Sequence, residues 1–280
     1  MLDDTVRSVN SLLQRAGFRT AMSFNVIDPG QINILFGLQM PGTASLVDVR
    51  QISSPQNTII FNTEQLAGES SWITDEYLSL LGDYVSLDYN VGNITKLKAV
   101  FGKGARCFEF PLLPDPSFAR EHTVPYDSVA IRHDLAFYGS TGLGDRIERL
   151  KDIARHGVNL KCFSGAYGAN LTPVLMDCAG VLNIHGFQSE VFETIRCLRP
   201  AAMGIPILSE TSVHSEVASW EHSGVIFIPK DRFAETLADV LRDGRRLLAA
   251  GRRLQAFVND PRWPGVARNT LLAAIAALSA

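Results

Sequence analysis

Glu193 and Arg196 stand three residues apart within Val181–Glu210, a stretch that reads VLNIHGFQSEVFETIRCLRPAAMGIPILSE. On a helix that spacing puts both side chains on one face, where a carboxylate can hold two vicinal hydroxyls while a guanidinium neutralises phosphate. A nucleotide sugar carries both groups. The same i,i+3 pair is also an ordinary surface salt bridge, so its surroundings decide between the two readings. An apolar strand, Val181 to Ile184, delivers Asn183 and His185 to the loop upstream, and a second, Ile205 to Leu208, follows. In an open parallel sheet, polar groups at strand ends meet helix N-termini whose free N–H groups attract anions.

Two further loops repeat this design. After Tyr138 the chain reads GSTGLG, with Gly139, Ser140 and Thr141 at the strand end, and after Phe163 it reads SGAYGAN, with Ser164, Gly165 and Tyr167. Glycine permits the close backbone approach that a phosphate needs. Neither loop fits GxxxxGK[ST] or GxGxxG, so neither a P-loop nor the dinucleotide fingerprint is supported. Arg146 opens the next helix, and Arg149 and Lys151 nearby suggest a solvated face there. His185 suits a hydrogen bond to a phosphate or sugar hydroxyl, or one satisfied by its own backbone.

The elements that must position these groups alternate strand and helix. The first half predicts a helix over Asp4 to Arg15, closed by Gly17, then strands at Thr20 to Val26, Ile32 to Phe36, Thr58 to Phe61, Tyr84 to Tyr89 and Cys107 to Phe110. Helices are expected over Ser71 to Leu81 and Ile94 to Val100. The prolines of PLLPDP and the polar run to about Ser128 mark a linker. The second half predicts strands at Leu135 to Tyr138, Leu160 to Phe163, the two around Glu193, and Val225 to Ile228. Helices follow over Asp145 to His156, up to Cys178, and over Phe233 to Leu248, with a last apolar one from Val266 to Leu278 that could cross back. This is an α/β protein with mostly parallel sheets, expected as two Rossmann-like domains over residues 1–125 and 126–280.

Composition agrees. A chain of 280 residues, 46% hydrophobic and 20% charged, can bury two cores. A net charge of -3 and a pI near 6.1 give no case for nucleic acid as the main partner. Cys107, Cys162, Cys178 and Cys197 form no CxxC pair and read as reduced core residues, which favours the cytoplasm. No run approaches the roughly 18 apolar residues of a membrane span, and the N-terminus lacks a signal-peptide pattern. His133, His214 and His222 have no partners at metal-ligand spacing. Trp220 and Trp263 read as core, Trp72 as core or as a platform for an acceptor sugar. Arg245-Arg246 and Arg252-Arg253 suggest a solvated helix face, or a patch that attracts an anionic lipid-linked acceptor at a membrane surface and so a peripheral membrane contact.

The second half resembles the nucleotide-sugar domain of glycosyltransferases with the two-Rossmann GT-B architecture, in particular a group of small, mostly bacterial members. The likeness is carried by Tyr138-Gly139-Ser140, Gly165-Ala166-Tyr167-Gly168, Leu182-Asn183-Ile184-His185, Glu193 to Arg196, and Ser209-Glu210. The first half resembles the same group's other domain through Phe61-Asn62-Thr63-Glu64-Gln65-Leu66 and through Asp88-Tyr89-Asn90 followed by Asn93, so the likeness spans about 60 to 280. The chain departs from the larger members in opening on a helix, which implies a reduced acceptor-side domain. Where many members carry a second glutamate of an E-x7-E pair, Arg199 stands five residues before Gly204.

The resemblance implies transfer of a sugar from a nucleotide-diphosphate sugar to an acceptor hydroxyl on a glycan, a lipid-linked molecule or a small molecule, without a metal or other cofactor. The donor would be held by Gly139, Ser140, Thr141, Arg146, Ser164, Gly165, Tyr167, Asn183, His185, Glu193 and Arg196. Arg196 would stabilise the leaving phosphate, and Glu64 or Asp88, across the expected cleft, would take the acceptor proton. A nucleotide- or sugar-binding protein without turnover is the rival reading. A signalling α/β module is disfavoured because no acidic cluster marks an early strand end.

Overall fold

A computed structural model describes residues 2–39, 46–66, 73–120, 133–186, 191–211 and 220–279. By contact the chain divides into two units, residues 3–8 with 113–260 and residues 9–112 with 261–280. The expected boundary near 125 lies outside the described residues, as do Trp72 and His214.

The unit of residues 9–112 and 261–280 holds a parallel sheet in the order β1 (Asn33–Phe36), β2 (Thr58–Asn62), β3 (Val85–Asp88) and β4 (Cys107–Glu109). Its central strand, TIIFN, is buried throughout. Such an uninterrupted β-branched and aromatic run suits a strand covered on both faces. Ile60 packs with Tyr77, Leu80 and Leu97, while the Phe61 ring stacks on Phe36 at 5.0 Å and meets Phe110 edge-on at 5.8 Å. The helices α2 (Leu46–Ile52), α3 (Asp75–Asp83) and α4 (Val91–Phe101) link the strands. Two begin on side-chain caps: Thr74 accepts from the Tyr77 N–H at 3.1 Å, and Asn90 from the Asn93 N–H at 2.9 Å.

The other unit holds a parallel sheet in the order β6 (Leu160–Phe163), β5 (His133–Tyr138), β7 (Cys178–Asn183), β8 (Ile207–Glu210) and β9 (Ile226–Ile228). Between the strands run α5 (Arg146–Arg155), α6 (Thr172–Met176) and α7 (Thr194–Met203), and α8 (Phe233–Leu241) and α9 (Gly244–Val258) follow β9. Alternation along β5 sends Leu135 and Phe137 to a core with Leu150, Ile153 and Leu237, and Ala136 and Tyr138 to one with Leu171, Leu175 and Met203. The chain runs outward from β5 to β6, then returns to β5's other side with β7. That reversal makes the carboxyl edge between β5 and β7 a topological switch point, where open α/β sheets bind ligands. The four-stranded sheet runs in sequence order without one.

Several expectations change. Thr20–Val26 is not a strand: Asn25 takes a φ of 54°, which interrupts an extended run, and Met22, Phe24 and Val26 are exposed. α2 forms where no helix was expected. The helix expected over Phe233 to Leu248 is two, because the Asp243 side chain accepts from the Arg246 N–H at 3.0 Å and starts a new one. Cys162 is exposed, since β6 is a sheet edge; the other cysteines are buried. α1 (Leu2–Arg15) shares its first turns with the five-stranded unit, where Asp4 pairs with the buried Arg199 at 2.6 Å. The last helix, α10 (Arg262–Ala276), packs on β3 and β4.

Candidate functional site

At the switch point the first turn of α7 brings Arg196 against the end of β5. Pro200 has no N–H to offer the carbonyl four residues earlier, which belongs to Arg196. The Tyr138 hydroxyl donates to that carbonyl instead, so a proline inside a helix and a tyrosine at a strand end together fix Arg196. The guanidinium is 4% exposed and lies 5.2 Å above the Phe137 ring, and its Nη2 pairs with Glu193 Oε2 at 2.5 Å. Its Nε and Nη1 are buried and have no hydrogen-bond partner among the described residues. Gly139, at a φ of 132°, makes this approach possible: a Cβ there would stand 3.0 Å from Arg196 Nη2.

Arg146 is a strut. It is buried, and it donates from Nε to Ile184 O at 2.9 Å, from Nη1 to Ser140 O at 3.1 Å, and from Nη2 to Glu193 Oε1. The loops after β5 and β7 and the start of α7 are thereby tied to one side chain. Burial pushes its guanidinium below the ordinary arginine value; Glu193 opposes that and Arg196 adds to it. Gly186 leaves it room, since a Cβ there would fall 2.6 Å from Arg146 Cζ. The solvated-face reading therefore fails, and each guanidinium nitrogen is already engaged.

Glu193 precedes α7 rather than riding within it, and both of its oxygens are occupied, Oε1 by Arg146 and Oε2 by Arg196. Asn183 ties β7 to β8 by donating from Nδ2 to Ser209 Oγ at 3.0 Å. His185 is buried, with Nδ1 at 3.0 Å from Val191 O and its backbone N–H donating to Glu210 Oε2 at 2.9 Å. Glu210 is itself fully buried and pairs with Arg149, which the sequence suggested as surface charge. Ser140, Ser164, Gly165 and Tyr167 are exposed and Thr141 half-buried. Tyr167 shares with Tyr138, Ile195 and Arg196 the lining of a small opening.

The four-stranded unit carries a separate polar cluster. Asp88 is fully buried at the end of β3 and accepts from Asn62 Nδ2 at 2.6 Å, from the Asn90 N–H at 2.8 Å, and from Asn93 Nδ2 at 3.2 and 3.1 Å. Asn62 and Asn93 also donate to Glu64 O, at 2.9 and 2.7 Å, which fixes the loop after β2. The Tyr77 hydroxyl donates to Asn62 Oδ1 at 2.8 Å, and burial, then Asp88 and Glu64, hold it well above the usual phenol value, so it stays a donor. The geometry makes Asp88 the holder of this loop rather than an open base. Glu64 is half-buried, with Gln39 Nε2 donating to its Oε1 at 3.1 Å.

Among the described residues no helix is long and apolar enough to cross a membrane, and no group of three or more His, Cys, Asp or Glu could hold a metal ion. No family model matches the sequence. It is 23% identical over 192 residues to uncharacterized protein L140 of Acanthamoeba polyphaga mimivirus, 66% of this chain and 59% of L140. It is 26% identical over 188 residues to L137 of the same virus, 65% of this chain and 24% of L137. The matched region thus covers less than two thirds of either viral protein. Among solved structures the chain is similar to TarM, with a TM-score of 0.57 at 7% identity over 82% of this chain and 57% of TarM. It is also similar to T4 phage BGT in complex with its UDP-glucose substrate, at 0.54 and 11% over 96% and 92%. WaaG, a glycosyltransferase involved in lipopolysaccharide biosynthesis, gives 0.53 and 12% over 78% and 74%. The shared feature is the fold, which is the GT-B architecture of two Rossmann-like α/β units with parallel sheets.

Proposed function

We propose that the protein is a glycosyltransferase that moves a sugar from a nucleotide-diphosphate sugar to an acceptor hydroxyl without a metal ion. The observation that carries this reading is the buried Arg196 guanidinium, which presents two nitrogens unpartnered among the described residues at the switch point of a GT-B sheet. A buried cation with unused donors is costly unless an anion completes it, and a diphosphate supplies both charge and acceptors. As the bond between the sugar's anomeric carbon and the phosphate oxygen breaks, its electron pair stays on the phosphate. A fixed guanidinium and the α7 N-terminus act on that growing charge more than on the ground state. They fill the place a divalent cation would otherwise take.

Arg196 can meet the diphosphate fully only when Glu193 yields Oε2. The released carboxylate is then available to the ribose hydroxyls while Arg146 retains its other oxygen. Asn183, His185 and Arg146 hold the loops in place, and Gly139, Ser140, Thr141, Ser164, Gly165 and Tyr167 border the donor. Glu64 is assigned the acceptor proton and Asp88 the support of the Glu64 loop.

The test is thermal stabilisation by UDP, GDP, CMP, dTDP and their sugars in the presence of a chelator, followed by assay of nucleotide release. One sugar nucleotide should raise the melting temperature and be slowly hydrolysed, with no change on chelation. Stabilisation without hydrolysis or transfer would favour a non-catalytic binding protein, and no response to any nucleotide would overturn both readings.

A further inference from the structure

The surface of α9 carries a charge pattern that the donor site does not use. Gly-Arg-Arg-Leu occurs twice, at Gly244–Leu247 and Gly251–Leu254, seven residues apart. Seven residues are close to two helical turns, about 10 Å of axis, so both arginine pairs share one face. Leu247, Ala250, Gly251, Leu254 and Val258 are buried, and the helix packs on α7 and α8. Arg245, Arg246, Arg252 and Arg253 are all exposed, and none joins an ion pair among the described residues. The neighbouring arginines differ: Arg242 pairs with Asp239 at 2.6 Å, and Arg232 with Glu235 at 3.9 Å. Gly244–Val258 contains no acidic residue at all.

Two features point to an outside partner. Arg245 and Arg246 lie in the first turn, where the helix dipole disfavours positive charge, so their position costs the free protein some stability. The clustering also runs against the chain's own charge of -3. Leu248, 45% exposed, lies three residues after Arg245 and four before Arg252, with Ala249 and Ala256 exposed on the same face. We propose that this face of α9 docks the protein on a membrane rich in anionic phospholipid. The guanidinium groups match lipid phosphates bidentately, and Leu248 enters the boundary between headgroups and acyl chains. A phosphodiester backbone would meet the arginines but gain nothing from an exposed leucine and alanines, which is why lipid rather than nucleic acid fits this face. The buried side of α9 stays in the core, so the contact is peripheral.

The experiment is co-sedimentation of the full chain with phosphatidylcholine vesicles and with vesicles that also contain phosphatidylglycerol. The chain should sediment with the anionic vesicles and dissociate as salt is raised. Replacing either pair, Arg245→Gln with Arg246→Gln or Arg252→Gln with Arg253→Gln, should lower the partition coefficient about thirtyfold. Leu248→Gln should weaken the fraction that survives high salt. All five residues are exposed, so unchanged melting temperatures would show that the fold is intact. Equal sedimentation with neutral vesicles, or wild-type partition by the variant lacking all four arginines, overturns the proposal. So does duplex DNA that strips the protein from anionic vesicles and binds it through the same arginines.

Discussion

At the end of β3 the Asp88 carboxylate accepts from Asn62, Asn90 and Asn93, whereas at the start of α7 two arginines divide the single carboxylate of Glu193. Both clusters are buried at the carboxyl ends of parallel strands. The first is anionic and closed: its lone pairs meet N–H donors, and burial first, then its field, raise Tyr77. The second is cationic and open: Nε and Nη1 of Arg196 have no partner among the described residues. A satisfied buried network specifies shape, while an unsatisfied one costs free energy that a ligand can recover. Topology agrees, since only the open cluster lies at a reversal of strand order.

The sharpest way to break this contrast is to delete one charge from each side. Arg196→Ala should lower nucleotide-sugar turnover by about 10²-fold or more, the scale for losing a donor aimed at transition-state charge. It should leave the melting temperature unchanged or raise it, because Arg146 still holds Glu193 and a buried guanidinium with two nitrogens unpartnered among the described residues has gone. Turnover near the wild-type rate would remove Arg196 from the donor site.

Asp88→Asn should do the reverse to the fold. It places an amide among three N–H donors and should cost about 3 kcal/mol, read from the urea midpoint. A midpoint near wild type would show that the cluster is not the closed network described. A second readout is pH. Burial first, and Asp88 second, push the Cys107 thiol up from 9.0 to about 12. Because the folded value is the raised one, the stabilisation is complete below pH 9 and is lost as pH rises towards 12, about 1.4 kcal/mol of it by pH 10. The variant, without the Asp88 charge, should lose less as pH rises from 10 towards 12.

Much of this was legible from local pattern. The run Thr58 to Phe61 reads as a buried strand because burial on both faces selects continuous apolar sequence, and the strand extends one residue further, to Asn62; Glu193 with Arg196 reads as a pair because three residues make almost one turn. What escaped depends on distant partners. Arg199 meets Asp4 across 195 residues, and nothing near Glu210 announces that Arg149 will neutralise it. Alternation in Thr20–Val26 describes which side chains share a face but not whether a neighbouring strand exists. Pro200 held a readable signal: a proline within a helical pattern predicts an orphaned carbonyl at Arg196, and hence a donor waiting for it.

The smallest expected effect tests how the open cluster works. If Glu193 occupies Arg196 until a diphosphate displaces it, Glu193→Gln should remove a competitor for the guanidinium while still accepting from Arg146. Inorganic pyrophosphate should then bind about fivefold tighter, on the scale of roughly 1 kcal/mol for a partly exposed ion pair. UDP should gain less, or lose, because the same substitution takes away the carboxylate meant for its ribose. Titrating both ligands into both proteins separates the possibilities. Weaker pyrophosphate binding by the variant would show that Glu193 supports the phosphate site instead of guarding it, and silence from both proteins with both ligands would count against a diphosphate site altogether.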